Sequence, residues 1–307
     1  MAEPTLQGVD PPINPDKIGI SYSGGGPQVL VELGCARAFV ERGIRPALIA
    51  GVSAGALAGT AHALDVDHGT GIDMAADLLS NVSTKQLGLT KLHMYWQLLL
   101  YVIRQKPMSL GNNAPIGPMI QRAIGQKFPG HATVGDFSDP VLLIGATNRR
   151  NGRPHWYGRD APIEQALIAS SAIPAIFPWR HAQILGQLDP VVDGGVVSNQ
   201  PVSELVMAGC GKLYVCAVGY GGEDAPAPTD FADNALVSMS MAIHQTMKLE
   251  EDYARLKIEA QGGHIIHIHP QIKFPVQHYD FTPELIKQVI DDACNATKQW
   301  LESDPQS

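Results

Sequence analysis

The residues best suited to chemistry are Gly51-Val52-Ser53-Ala54-Gly55, a G-x-S-x-G run inside "AGVSAGAL". An apolar stretch, "PALIAGV" (46–52), leads into it, and a small-residue stretch, "SAGALAGTAHAL", follows. A strand turning at once into a helix forces its serine into a strained backbone conformation. Gly51 and Gly55, two positions to either side, leave the room that turn needs. The Ser53 hydroxyl then projects at a helix N-terminus, where the dipole and free N–H groups favour negative charge. A bare match also fits an ordinary strand–helix turn. The flanking strand and helix favour Ser53 as a nucleophile.

A nucleophilic serine needs a base. Asp193, in "LDPVVDGGVVSNQP" (188–201), follows a short apolar strand and precedes Gly194 and Gly195. An isolated Asp-Gly is usually a turn. Here the apolar flanks and the preceding "ASSAIPAIFP" argue against a carboxylate placed for solvent. Burial beside a hydroxyl raises an aspartate's pKa and equips it as a general base. Such a weak base depends on strong stabilisation of the oxyanion. Gly24, Gly25 and Gly26 of "SGGGPQVLVELG" (23–34) offer bare backbone that can turn its N–H groups toward one point. The Ala54 N–H at the elbow adds a donor. Pro27 removes one N–H, although its fixed φ suits the first helical position. Gly25 and Gly26 are therefore the expected donors of the loop.

The chain has 11 histidines. "GHIIHIHP" (263–270) puts His267 and His269 on one face of a strand and His264 on the other. Ordinary hydrogen-bonded strand histidines explain them better than a metal site, since no Cys, Asp or Glu cluster accompanies them. The order Ser53, Asp193, then His267 or His269 leaves a triad open. Against it stands the early elbow: several strands precede the serine in an α/β-hydrolase, and here only one precedes the elbow's own strand. In "LHMYWQLLLYVI" (92–103), Leu92, Tyr95, Trp96, Leu99, Val102 and Ile103 recur at helical spacing. That stripe is core by default, or an acyl groove or interfacial cap. It is too short to span a bilayer as a helix.

The elements that must position these residues alternate. Strands are expected at 17–23, 46–52, 139–148, 212–220 and 263–270. Helices are expected at 29–43, after Ser53, at 162–177 with a break at Pro174, at 235–261 and at 283–301. Buried strands alternating with helices mean an α/β fold on a mostly parallel sheet. Residues 1–16 read as an acidic, proline-rich disordered leader without an apolar signal segment, so a cytoplasmic protein is expected. Residues 17–302 read as a single catalytic domain with a helical cap or groove at 65–130, and 303–307 as a tail.

"SGGGPQVLVELG", "GVSAGAL", "ASSAIPAIFP" and "VDGGVVSNQP", in this order and spacing, resemble the patatin-like phospholipase family, as does "GATNRRNGRP". The resemblance implies a three-layer α/β/α fold and a Ser–Asp dyad, with neither cofactor nor metal in the chemistry. By position it makes Ser53 the nucleophile, Asp193 its partner and the triple glycine the oxyanion loop. It implies hydrolysis of lipid acyl esters, with the lipid and a transient membrane interface as partners. Acyl transfer on the same dyad, and a silent lipid-binding scaffold, are the alternatives. The family usually carries Arg or Lys shortly after its glycines. This chain has Pro27-Gln28-Val29, so its loop brings no cation to a phosphate.

The bulk numbers agree. The 307 residues are 45% hydrophobic and 17% charged, enough for a sizeable core. A net charge of −8 argues against nucleic acid as a partner. Cys35, Cys210, Cys216 and Cys294 are widely spaced and read as reduced, buried thiols. No sequence feature sets an oligomeric state.

Overall fold

In the computed structural model, residues 12–90, 93, 97, 109–218, 231–270, 272 and 279–303 are described. The stripe Leu92, Tyr95, Trp96, Leu99, Val102 and Ile103 lies outside them, as do residues 1–11 and 304–307.

Among the described residues, eight strands form one sheet: β1 (Asn14–Tyr22), β2 (Leu48–Val52), β3 (Val141–Asn148), β4 (Arg153–Trp156), β5 (Arg180–Ile184), β6 (Gln187–Asp193), β7 (Cys210–Cys216) and β8 (His264–Ile268). Their order is β5-β6-β3-β2-β1-β7-β8, with β4 also paired to β3. The pairs among β3, β2, β1, β7 and β8 are parallel, whereas β4 and β6 run antiparallel to β3, and β5 to β6. The fold is α/β with a mostly parallel central sheet flanked by helices.

Alternation along the parallel strands shows why both faces must be covered. Ile20, Tyr22, Ile49, Tyr214, Cys216, Ile266 and Ile268 point into one core. Helices α1 (Val29–Glu41), α2 (Ala54–Leu64), α3 (Thr70–Ser80), α4 (Ile116–Lys127) and α5 (Ile163–Ser170) contribute to it, as does α8 (Pro283–Ser303). Leu48, Ala50, Leu213, Val215 and Ile265 point the other way, against α6 (Ser203–Met207) and α7 (Phe231–Glu259). Ile286, Ile290, Ala293, Thr297 and Leu301 of α8 repeat every three or four residues and are buried, as an amphipathic helix requires. No helix among the described residues is long and apolar enough to cross a membrane.

Three expectations change. Asn14–Asp16, read as leader, belong to β1. The helix expected at 162–177 with a break at Pro174 ends earlier, at Ser170, with Ser171 as its C-cap. β4 and β5 were not anticipated; β5 pairs with β6, the short strand expected before Asp193 and the one that delivers it.

Candidate active site

β3 acts as the ruler on which the site is assembled. It pairs Gly145 with Val52, the last residue of β2, and Ala146 with Asp193, the last residue of β6. Two strands of opposite direction thus end at successive positions on β3. Ser53, next after Val52, and Asp193 meet there. β1 ends at Tyr22, paired with Gly51, and releases the glycine loop beside them. All three lie at the carboxyl edge of the parallel sheet, where α/β folds collect ligands.

Ser53 has φ 52° and ψ −122°, the strained conformation expected of an elbow serine. It is the N-cap of α2, so Ala54 is the first helical residue and its N–H is one of the helix's unsatisfied donors. The neighbouring glycines are required by contact with backbone. A Cβ at Gly51 would lie 2.3 Å from the Gly55 carbonyl oxygen, and one at Gly55 would lie 2.3 Å from the Tyr22 carbonyl oxygen. The Ser53 N–H donates to Ser170 Oγ (2.9 Å), and Ser170 Oγ donates to the Gly145 carbonyl (2.6 Å). Fully buried Ser170 thereby ties the strained nucleophile to β3. It lies in the quoted "ASSAIPAIFP", but nothing local to that run discloses its partner.

Asp193 is buried, and burial pushes its pKa up to about 6, opposed by the Ser53 hydroxyl and the Gly195 N–H. The Gly195 N–H donates to Oδ1 at 2.8 Å. Among the described residues Oδ2 has no partner at hydrogen-bonding distance, so Ser53 is near enough to favour the carboxylate without closing a full bond to it. Catalytic hydrogen bonds commonly tighten only when substrate is present. The aspartate's own N–H donates to the Ala172 carbonyl (3.0 Å), fixing the strand end. Gly194 fits against β3, where a Cβ would lie 2.5 Å from the Gly145 carbonyl oxygen.

The amides of the glycine loop are not equivalent. The Gly24 N–H donates to the Asn199 carbonyl (3.1 Å) and is committed. No hydrogen bond from the Gly25 or Gly26 amide occurs among the described residues. Gly26 has φ +57° and opens a 3-10 turn, Gly26–Gln28, that leads into α1. Pro27 sits within this turn, where its missing N–H is harmless.

Ser53, Asp193, Gly24, Gly25, Gly26 and Gly195 line one cavity of about 730 Å³. Ile173, Ile176, Val196, Val218, Ile243 and Met247 make its walls largely apolar, and α7 supplies one whole side. The histidine alternatives fall away from it. β8 is three strands from β2, roughly 14 Å at ordinary strand spacing. His267 Nε2 meets Arg255 (2.9 Å), and His269 Nδ1 meets the Ala217 carbonyl (2.9 Å). No group of His, Cys, Asp and Glu suited to a metal occurs among the described residues.

A family model, Patatin-like phospholipase, matches residues 20–206. The chain belongs to the patatin-like phospholipase family. The matched span holds the glycine loop, Ser53, Ser170, Asp193 and Asn199. Membership gives the chain the family's general character, a lipid acyl hydrolase of the esterase and lipase type. No match was found among curated proteins. Among solved structures, the chain is similar to VipD from Legionella pneumophila, with 16% identity and a TM-score of 0.45, over 94% of this chain and 67% of that one. It is also similar to the type III effector protein ExoU, with 14% identity and a TM-score of 0.43, over 95% of this chain and 53% of that one.

Proposed function

We propose that this patatin-like protein hydrolyses lipid acyl esters through a covalent Ser53 acyl-enzyme, with Asp193 as the base. The observation that carries the reading is the meeting of a strained serine and a buried, raised-pKa aspartate on one apolar cavity. With a pKa of about 6, Asp193 is mostly ionised at neutral pH, yet basic enough to accept the Ser53 proton. Ser53 Oγ attacks the acyl carbonyl, and the carbonyl oxygen becomes an oxyanion facing the Gly25, Gly26 and Ala54 N–H groups. Collapse returns the Asp193 proton to the departing alcohol. Water, losing a proton to Asp193, then attacks the acyl-enzyme carbonyl; as the Ser53 Oγ–acyl bond breaks, Asp193 returns that proton to Ser53 Oγ and the fatty acid leaves. The apolar wall from Ile173, Ile176, Val218, Ile243 and Met247 houses the acyl chain.

The test is labelling by a fluorophosphonate, together with release of fatty acid from a panel of esters graded by head group and chain length. Wild-type protein should label once and turn over. Ser53→Ala should do neither while retaining its melting temperature. Labelling that persists in Ser53→Ala would overturn the assignment.

A further inference from the structure

Gly24, Gly25 and Gly26 have no side chains with which to hold their own amides in place, and glycine backbone is the most conformationally free. Something outside the loop must aim those amides. The carboxamide of Asn199 is wedged between the glycine loop and the acid loop: a Cβ built on Gly24 or on Gly195 would lie 2.3 Å from Asn199 Oδ1. Its Nδ2 donates to the Gly24 carbonyl at 3.1 Å, and its backbone carbonyl accepts the Gly24 N–H, also at 3.1 Å. The same Nδ2 touches Met247 Sδ at 3.3 Å, on the α7 wall of the cavity. Next along the chain, Gln200 is fully buried and donates to Ser21 Oγ at 2.8 Å, in the last turn-ward stretch of β1.

The consequence follows from peptide geometry. The Gly24 carbonyl and the Gly25 N–H belong to one planar trans peptide unit and point in opposite directions. Fixing the carbonyl on Asn199 therefore fixes the direction of the Gly25 N–H. We propose that Asn199 is the positioning residue of the oxyanion hole, aiming the Gly25 amide by holding the Gly24 carbonyl from behind. The inference rests on the hydrolase reading above. Asn199 touches no reacting atom; it acts through the Gly24–Gly25 peptide.

The experiment uses the full chain and a soluble chromogenic acyl ester, with sites counted by fluorophosphonate titration. Asn199→Ala should lower kcat per titrated site by about 10- to 100-fold, a fraction of what loss of a whole oxyanion donor costs. KM should change less than about threefold, and the acid limb of the pH profile should not move, because Asp193 is untouched. Asn199→Asp keeps the shape but turns a donor into an acceptor facing the Gly24 carbonyl, so its kcat should fall at least as far. It carries the test if the alanine variant does not fold. A merely structural Asn199 would lower the melting temperature and the number of titratable sites, with kcat per site within about twofold of wild type. That result in either folded variant overturns the proposal. Wild-type protein that neither labels nor turns over would overturn the hydrolase reading itself, a separately visible failure.

Discussion

Asp193 at the cavity and Glu32 in the first turn of α1 are both carboxyl groups withdrawn from water, yet their surroundings differ. Asp193 keeps one firm donor, the Gly195 N–H, and stands beside a hydroxyl, and these pull its burial-raised pKa back to about 6. Glu32 is fully buried, and burial, with the neighbouring Cys35, pushes its pKa well above the usual glutamate value. The Ser23 hydroxyl and N–H oppose that only in part. Both carboxyls thus have a hydroxyl and an N–H that oppose burial, and at Glu32 burial still wins. What sets Asp193 apart is its place on the open cavity beside Ser53.

The comparison breaks first at Asp193. Asp193→Asn should lower kcat by about 10³-fold or more, because the variant loses the carboxylate that accepts the Ser53 proton. Initial rates on a soluble ester, normalised to folded protein, check it. The same substitution should stabilise the fold at neutral pH. Below about pH 4, Asp193 is protonated in both folded and unfolded chains and costs nothing. As pH rises through about 6, the folded state must hold a charge that the unfolded state holds more easily, a penalty of about 3 kcal/mol at full development. Asparagine removes that penalty, so the variant should melt above wild type at pH 7–8, with the gap closing toward pH 4. Wild-type activity should rise with pH along an acid limb centred near 6.

A second, smaller effect sharpens the role of position. Ser170→Ala removes the acceptor of the Ser53 N–H and the donor to the Gly145 carbonyl. Each is buried, and an unsatisfied buried group costs about 1–3 kcal/mol. A lowered melting temperature together with a roughly tenfold fall in kcat is expected, since strain at Ser53 is no longer held against β3. Unchanged turnover in a folded Ser170→Ala protein would mean that the elbow glycines alone set the nucleophile.

What could be read from the sequence was what local sterics dictate. The elbow, with Gly51 and Gly55 pressed against backbone, the bare glycine loop and the Asp-Gly-Gly turn all announce themselves within a few residues. So do the continuous apolar strands β2, β3 and β7. Hidden from it were the contacts that aim these groups. Ser170 meets Ser53 across 117 positions, and Asn199 meets Gly24 across 175. Nor does bare glycine reveal that the Gly24 amide is already taken. The β5–β6 hairpin was obscured because its apolar residues Leu185 and Leu188 face solvent, so no clean alternation marks it. Serine and asparagine placed by long-range pairing carry no periodicity to read.

Glu32 supplies the smallest predicted change and the sharpest control on the comparison. If its carboxyl is neutral at pH 7, glutamine reproduces its shape and charge state there, and the nearby Ser23 keeps a polar partner. Glu32→Gln should then leave kcat and KM within about twofold of wild type. Stability tells more. In wild type, rising pH drives the unfolded chain to ionise Glu32 while the folded chain keeps its proton, so stability falls progressively above the ordinary glutamate pKa. The glutamine variant lacks this term. Its melting temperature should match wild type near pH 4 and exceed it increasingly toward pH 8, and the shift should add to that of Asp193→Asn in the double variant, provided the two sites are independent. A pH-independent difference in melting temperature, or a large loss of turnover, would show that Glu32 is ionised in the fold and that the two carboxyl groups are less different than their surroundings imply.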